Sequence, residues 1–156
     1  MANTYTQIHI QAVFVVKYRA CLIQNSWKEE LYRYIIGIIK ENNHKPLIIN
    51  GMPDHIHILL GLRPAQSISD LLKDIKGSSS KWINEKGFLP VQFSWQGGYG
   101  AFSYSKQDLP KVIKYIKNQE IHHKKKSFNE EYVELLHEFD IEYDTLIEEL
   151  KFLNPS

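Results

Sequence analysis

The sequence predicts an α+β fold, an antiparallel sheet with helices packed on one face. The hydrophobic pattern changes along the chain in the order β-α-β-β-α-β and ends in further helices, which is the split β-α-β plan of ferredoxin-like and RRM-like domains. A connection too short to hold a helix joins the second and third strands, so these two are expected to form a hairpin. The length of 156 residues, with 43% hydrophobic and 24% charged residues, fits a single domain over residues 1–156.

The first two elements follow from a change of period. Residues 6–16 alternate between polar and apolar and then become wholly apolar, which predicts a strand. Residues 26–42 carry their apolar side chains on one stripe, which predicts a helix with Asn25 or Ser26 as its N-cap.

The middle of the chain predicts a hairpin and a second helix. Two β-like runs, at 47–51 and 55–62, flank the turn sequence Met-Pro-Asp, whose proline and aspartate favour a tight turn. Ser67 or Ser69 then begins a helix that is expected to run to about Asn84.

The last third is expected to add short strands and more helices. Residues 91–104 are rich in aromatic residues and glycine, which predicts short strands around a bend or bulge. A third helix is expected over 107–125, with Asp108 as N-cap and Pro110 in its first turn. The segment 129–153 is amphipathic and acidic, which predicts helix in one or two pieces.

The charge is distributed unevenly. Residues 1–127 contain 18 basic and 9 acidic residues, a balance of +9, whereas the acidic tail, residues 128–156, has a balance of −8. A basic body favours an anionic partner. The lone cysteine, Cys21, excludes an internal disulfide and a cysteine-rich zinc site. The apolar runs are too short to cross a bilayer, and no secretory signal is recognised, so the protein is predicted to be cytoplasmic.

The segment Asp54-His55-Ile56-His57 is the first with chemical content. On a strand His55 and His57 point to the same face, where two imidazoles can bind one divalent ion. The alternative is a half-buried strand whose polar face happens to hold two histidines, and the tripeptide alone favours that alternative.

The third helix adds a second set of polar groups. Tyr115, Gln119 and His122 are spaced i, i+4, i+7 and share one face, although Tyr115 is also compatible with an amphipathic rim position and Gln119 with an exposed one. Together with the histidines they describe a tyrosine that attacks a phosphodiester beside Mg²⁺ or Mn²⁺, with the amide oxygen as a third ligand.

These segments resemble the single-tyrosine transposases of small bacterial insertion sequences, which carry a His-hydrophobic-His (HUH) motif, and the related REP-associated tyrosine transposases. The matching stretches follow one another in the family's order and span nearly the whole chain: KYR at 17–19, GMPDHIHILL at 51–60, DLLKDIKGSSSKWIN at 70–84, FSWQGGYGAFSYS at 93–105 and YIKNQEIHH at 115–123.

The resemblance implies a role for each site residue. His55, His57 and Gln119 would bind the metal, and Tyr115 would be the nucleophile. The substrate would be single-stranded DNA with hairpin ends, cleaved through a 5′-phosphotyrosine. The protein would act as a homodimer with shared active sites, with no membrane partner and no nucleotide cofactor. Candidate DNA contacts are basic residues of the body: Arg19, Arg63, Lys73, Lys76, Lys81, Lys106, Lys114 and Lys117.

Two other functions compete with this one. A domesticated protein of the same fold would bind DNA hairpins without cutting them, and intact His55, His57, Tyr115 and Gln119 argue against it. A metal phosphoesterase would use the histidines to activate water and would leave Tyr115 dispensable. His122 and His123 are as compatible with a phosphate contact or helix capping as with a metal.

Overall fold

A computed structural model of the chain describes residues 4–121 and 127–139. Within them four strands form one antiparallel sheet in the order β2-β3-β1-β4. The strands are β1 (His9–Val15), β2 (Lys45–Met52), β3 (His55–Gly61) and β4 (Gly100–Tyr104). This sheet with its helices confirms the α+β class.

One face of the sheet carries the two helices of the β-α-β-β-α-β unit, α1 (Lys28–Glu41) and α2 (Ile68–Lys86). Alternate residues of the central strands, among them Phe14, Ile56 and Ile58, are fully buried against these helices. The expectation of helices on one face holds for this pair.

The opposite face is covered by the later helices, α3 (Leu109–Lys117) and α4 (Phe128–Glu138). Val13, Val15 and Phe102 pack against α4, while Leu59 packs against α3. The sheet is therefore covered on both faces, because its second face is apolar at these positions and exposing it to water would be unfavourable.

The helix starts differ in how they are capped. Helix α2 begins after Ser67, whose side chain accepts a hydrogen bond from the Asp70 amide, as expected. Helix α1 instead has Trp27 at its N-cap position without a side-chain cap, so the expected Asn25 or Ser26 cap is wrong. The Trp27 ring is buried and stacks on Phe88 with ring centroids 4.7 Å apart, and this packing fixes where the helix begins.

The third helix, expected over 107–125, is interrupted after Lys117, and residues 122–125 of that expectation lie outside the described residues. A 3-10 turn at Lys106–Asp108 precedes it and a turn at Asn118 ends it, after which residues 119–121 are helical again. The Asn50 amide of β2 donates to the carbonyls of Ile116 (3.0 Å) and Lys117 (3.2 Å). A side chain from the sheet thus satisfies the helix end, which the local sequence does not encode.

The aromatic segment contributes one strand, β4, and an isolated bridge between Val16 and Trp95. Gly98 has a φ of 87°, which favours glycine at this bend. Lys76 of α2 donates to the carbonyls of Gln96 and Gly98, both at 2.7 Å. These bonds attach the loop to the helix.

The described part of the acidic tail is α4, and the rest of the predicted tail helix lies outside the described residues. Ser127 caps α4 by accepting from the Glu130 amide. In the described part of the chain, no helix has the length and apolar character needed to span a membrane.

Candidate active site

His55 and His57 lie side by side on the sheet face that α3 and α4 cover. Both are fully buried in β3, and their ring centroids are 5.2 Å apart. The strand alternation predicted this shared face, and the neighbouring strands β1 and β2 hold the backbone of β3 on both sides.

Each histidine is oriented by a hydrogen bond at Nδ1. His55 Nδ1 lies 2.7 Å from an Asp54 carboxylate oxygen, which accepts only, so this nitrogen carries the proton. His57 Nδ1 lies 2.7 Å from Gln11 Oε1, and the Gln11 amide nitrogen donates to Tyr104. Both Nε2 atoms therefore present lone pairs to the site, which is the arrangement of metal-binding histidines.

Asp54 and Gln11 were not predicted to take part. From the sequence, Asp54 is most simply a turn residue. Gln11 is one polar position of a strand that alternates between polar and apolar residues. Their positions beside the histidines depend on the hairpin and on the pairing of β1 with β3. The structure shows that the Gln11 side chain is fully buried. The only sign of this in the sequence is a polar residue directly before the apolar run 12–16.

Helix α3 brings Tyr115 to the histidines, and the segment just after its end brings Gln119. Gln119 is fully buried with its Oε1 3.3 Å from His55 Nε2. The Tyr115 ring meets the His57 ring edge-on at 6.0 Å between centroids. All four predicted residues thus come together in one chain, whereas His122 and His123 lie outside the described residues.

A fifth residue, Glu131 of α4, was missed. Its Oε1 lies 2.9 Å from His57 Nε2 and 3.8 Å from His55 Nε2, and its carboxylate accepts a hydrogen bond from the Tyr115 hydroxyl. The signal in the sequence is a charged residue within the apolar stripe Phe128, Tyr132, Leu135. A carboxylate on the buried face of a helix points to a partner inside the protein.

The environment keeps His55 neutral and Tyr115 protonated. Burial lowers the pKa of the His55 imidazole below its ordinary value, against the opposing hydrogen bond to Asp54. Burial also raises the pKa of the Tyr115 hydroxyl well above its ordinary value. The charge of Glu131 and its hydrogen bond raise that pKa further, against the lowering effect of Gln119.

The donor set fits a divalent cation. The ligand atoms of His55, His57 and Glu131 all lie within 4.8 Å of one another. The Gln119 oxygen also faces His55, while the Gln119 amide nitrogen is buried without a hydrogen-bond partner. Lone pairs that face one another repel unless a cation or a proton lies between them, and imidazole with oxygen ligands suits several divalent ions.

Access to these residues runs between α3 and α4. A cleft of about 350 Å³ is lined by Tyr115, by Lys111 and by four carboxylates, Glu131 among them, while the histidines behind them are fully buried. The Phe128 ring of α4 lies 4.2 Å from the His55 ring between centroids. The Arg19 guanidinium closes the same side, because it contacts Asp54, Asn129 and the face of Phe128.

The predicted DNA-contacting residues fall into two groups. Arg19 and Lys76 make internal contacts, to Asp54 and α4 and to the backbone of the 96–98 loop, and burial lowers the pKa of Lys76. The other side chains are exposed, and one of them, Lys81, lies 3.9 Å from the Glu85 carboxylate. These exposed residues are Arg63, Lys73, Lys81, Lys106, Lys114 and Lys117.

Comparison with known sequences identifies a family and relatives of this chain. The family model described as "Transposase IS200 like" matches residues 4–119. The ISDra2 transposase TnpA of Deinococcus radiodurans is 27% identical over 118 residues, which is 72% of this chain and 84% of that protein. The transposase of insertion sequence IS200 from Salmonella typhimurium is 27% identical over 124 residues, covering 76% of this chain and 81% of that one.

Solved structures show the same fold. A putative transposase from Deinococcus radiodurans has a TM-score of 0.62 at 22% identity, covering 76% of this chain and 95% of the other. A REP-associated tyrosine transposase bound to a REP hairpin has a TM-score of 0.60 at 15% identity, covering 79% and 73%. Since the family match spans most of the chain, this protein belongs to the IS200-like transposase family.

Proposed function

We propose that this transposase cleaves and rejoins single-stranded DNA at the ends of an insertion sequence through a covalent 5′-phosphotyrosine on Tyr115. The observation that carries the proposal is the convergence of Tyr115 of α3, and of Gln119 just after this helix, on the histidine pair of β3. A phenol beside a cluster of cation ligands is the arrangement that a tyrosine nucleophile requires.

The predicted cofactor is Mg²⁺ or Mn²⁺, bound through His55 Nε2, His57 Nε2 and the Gln119 oxygen. When bound, such an ion supplies charge neutralisation at the non-bridging oxygens of the scissile phosphate. The chain itself contributes the orientation of the ligands, since Asp54 and Gln11 accept hydrogen bonds from the Nδ1 atoms and so direct both Nε2 atoms into the site.

In the cleavage step the Tyr115 oxygen forms a bond to phosphorus and the bond from phosphorus to the 3′ oxygen breaks. The phenolic proton leaves the nucleophile, and the departing 3′ oxygen gains one. The products are a 5′-phosphotyrosine and a free 3′-hydroxyl, and rejoining reverses the same exchange without ATP. Because burial raises the pKa of Tyr115, the phenol carries its proton before the reaction, and this proton leaves as the bond to phosphorus forms.

The proposed substrate carries a hairpin, as the similar REP-associated transposase is bound to one. Exposed lysines on α3, Lys114 and Lys117, lie on the helix that bears Tyr115, and such residues bind phosphates in a salt-dependent way. A homodimer is part of the proposal on the strength of the family resemblance. In the described chain, however, Tyr115 meets the histidines of its own chain.

The test uses labelled single-stranded DNA from the flank of the gene, incubated with the full chain and Mn²⁺ or Mg²⁺. We expect a metal-dependent protein–DNA band that survives SDS and is absent in Tyr115→Phe. The matched control is Tyr34→Phe, because Tyr34 stacks on Trp82 on the opposite face of the sheet.

Other outcomes identify the competing functions. Hairpin binding without cleavage under either metal would favour the non-cutting DNA-binding protein. Metal-dependent cleavage without an adduct, retained in Tyr115→Phe, would favour the phosphoesterase and would overturn the role of Tyr115.

A further inference from the structure

Helix α4 carries a carboxylate on its buried face. Phe128, Tyr132 and Leu135 already pack this helix against the sheet, yet Glu131 lies among them and is only 3% exposed. Burying a carboxylate costs several kcal/mol unless a cation or a proton-bearing group stabilises it. Glu131 is therefore not explained by the packing of α4 alone.

The surroundings of Glu131 are rich in lone pairs. Its Oε1 faces the Nε2 atoms of His57 and His55 at 2.9 and 3.8 Å. In the neutral imidazoles whose Nδ1 atoms donate to Gln11 and Asp54, both Nε2 atoms carry lone pairs. The Tyr115 hydroxyl supplies one hydrogen bond. Two imidazole lone pairs and a carboxylate facing one another are stabilised by a cation between them.

We propose that Glu131 is itself a ligand of the divalent cation, together with His55, His57 and Gln119, and that it thereby couples metal binding to the docking of α4. The inference rests on the metal site of the proposed function. It adds a residue that lies beyond the stretch matched by the family model. An anionic oxygen also strengthens a set of two imidazoles and a neutral amide, because Mg²⁺ and Mn²⁺ prefer carboxylate ligands.

The first readout is Mn²⁺ affinity of the full chain, followed by electron paramagnetic resonance without DNA. We expect Glu131→Gln to weaken binding at least about tenfold, as is typical for changes around a metal site. Glu131→Asp keeps the charge but shortens the reach, so it should also bind weakly. The matched control is Glu134→Gln, which removes a carboxylate from the same helix and the same cleft and should remain close to the wild type.

The second readout is hydrogen exchange of the α4 amides. Mn²⁺ should slow this exchange in the wild type, because a ligand that binds only the docked state stabilises it. The effect should be absent in Glu131→Gln. The amides of α2, on the other face of the sheet, provide the internal control and should not respond to Mn²⁺.

Wild-type Mn²⁺ affinity in a folded Glu131→Gln variant would overturn the inference. So would wild-type affinity in Glu131→Asp beside a weakened Glu131→Gln, because charge without ligation would then account for the loss. These results leave the phosphotyrosine proposal intact. Conversely, a chain that binds Mn²⁺ through Glu131 but forms no adduct with DNA would overturn the proposed function and keep Glu131 as a ligand.

Discussion

Asp54 shows how a single residue outside the ligand set shapes the site. Its carboxylate accepts from His55 Nδ1 at 2.7 Å and lies 3.5 Å from the Arg19 guanidinium. Burial acts to raise the pKa of Asp54, but the hydrogen bond from His55 and the positive charge of Arg19 hold it below its ordinary value. The group is therefore a carboxylate near neutral pH, and it fixes the His55 ring for metal binding.

We expect Asp54→Asn to lower Mn²⁺ affinity by about 10- to 100-fold, the range found when the partner of a metal-binding histidine is lost. The amide oxygen of the introduced asparagine can still accept a hydrogen bond from His55 Nδ1. It lacks the negative charge by which the carboxylate makes the His55 ring more basic. Electron paramagnetic resonance at constant ionic strength measures the affinity. Asp74→Asn, an exposed carboxylate on α2, controls for loss of charge, and equal effects of the two substitutions would contradict the role of Asp54.

Site residues can be predicted from the sequence when the pattern that identifies them lies within one strand or one helix. His55 and His57 follow from strand alternation, and Tyr115 and Gln119 follow from helix spacing together with a family resemblance. Glu131 and Gln11 approach the same point from other elements, whereas Asp54 precedes His55 and contacts it because of the shape of the hairpin turn. No spacing within one segment encodes such an approach, because it depends on strand pairing and on which face α4 covers.

Among the elements, the β2–β3 hairpin holds the histidines in register and depends on Gly51. A Cβ on Gly51 would lie 2.2 Å from the backbone oxygen of His55, so any side chain there displaces the main chain beside the site. Gly37 in α1 differs, because a Cβ there would meet nothing within 4 Å. The same substitution, glycine to alanine, can therefore be compared at a crowded and at an open position.

We expect Gly51→Ala to lower the free energy of unfolding by about 1–3 kcal/mol, as overpacking does. Gly37→Ala should raise it by about 0.5–1 kcal/mol, because alanine loses less backbone entropy in a helix. Urea denaturation of both variants measures the difference. Equal effects of the two substitutions would show that the hairpin relaxes around Gly51 without cost.

Helix α4 should loosen at alkaline pH through Tyr132. Burial raises the pKa of this hydroxyl to about 12, above an unfolded value near 10. A raised folded pKa means that the stabilisation is complete below pH 10 and is lost as the pH rises toward 12. The free energy of unfolding, measured by urea denaturation, should fall between pH 9 and pH 11 in the wild type. In Tyr132→Phe we expect this fall to be smaller by about 1 kcal/mol. An identical loss in both proteins would contradict this role of Tyr132.

Element boundaries were predicted well where the sequence carries its own cap and poorly where tertiary contacts decide. Ser67 identifies the start of α2 correctly. The end of α3 is set by Asn50, a residue of a different strand, and the start of α1 is set by the stacking of Trp27 on Phe88. Hydrophobic periodicity contains no information about such tertiary contacts, so it does not locate these two helix ends.

At the scale of the whole molecule, the acidic helix α4 covers the histidine pair of the same chain. The basic body and the acidic tail differ in charge by sequence, and α4 brings Glu131 from the tail onto the histidines of the body. The order of the sheet and the placement of α1 and α2 follow from the element order. The packing of α3 and α4 on the second face does not, because that order says nothing about which face a later helix covers.

The assembly of the site within one chain leads to a test of cis action. The connection between β4 and α3 is only residues 105–108, and Asn50 holds the end of α3 on the same chain. We therefore expect an equal mixture of tagged His57→Ala and untagged Tyr115→Phe chains to form no DNA adduct, since each chain lacks one essential group. In a dimer with shared sites, about a quarter of the sites would combine intact histidines with an intact tyrosine. Because only the tagged chain keeps Tyr115, an adduct on that chain would show that the α3 helix of one subunit serves the histidines of the other.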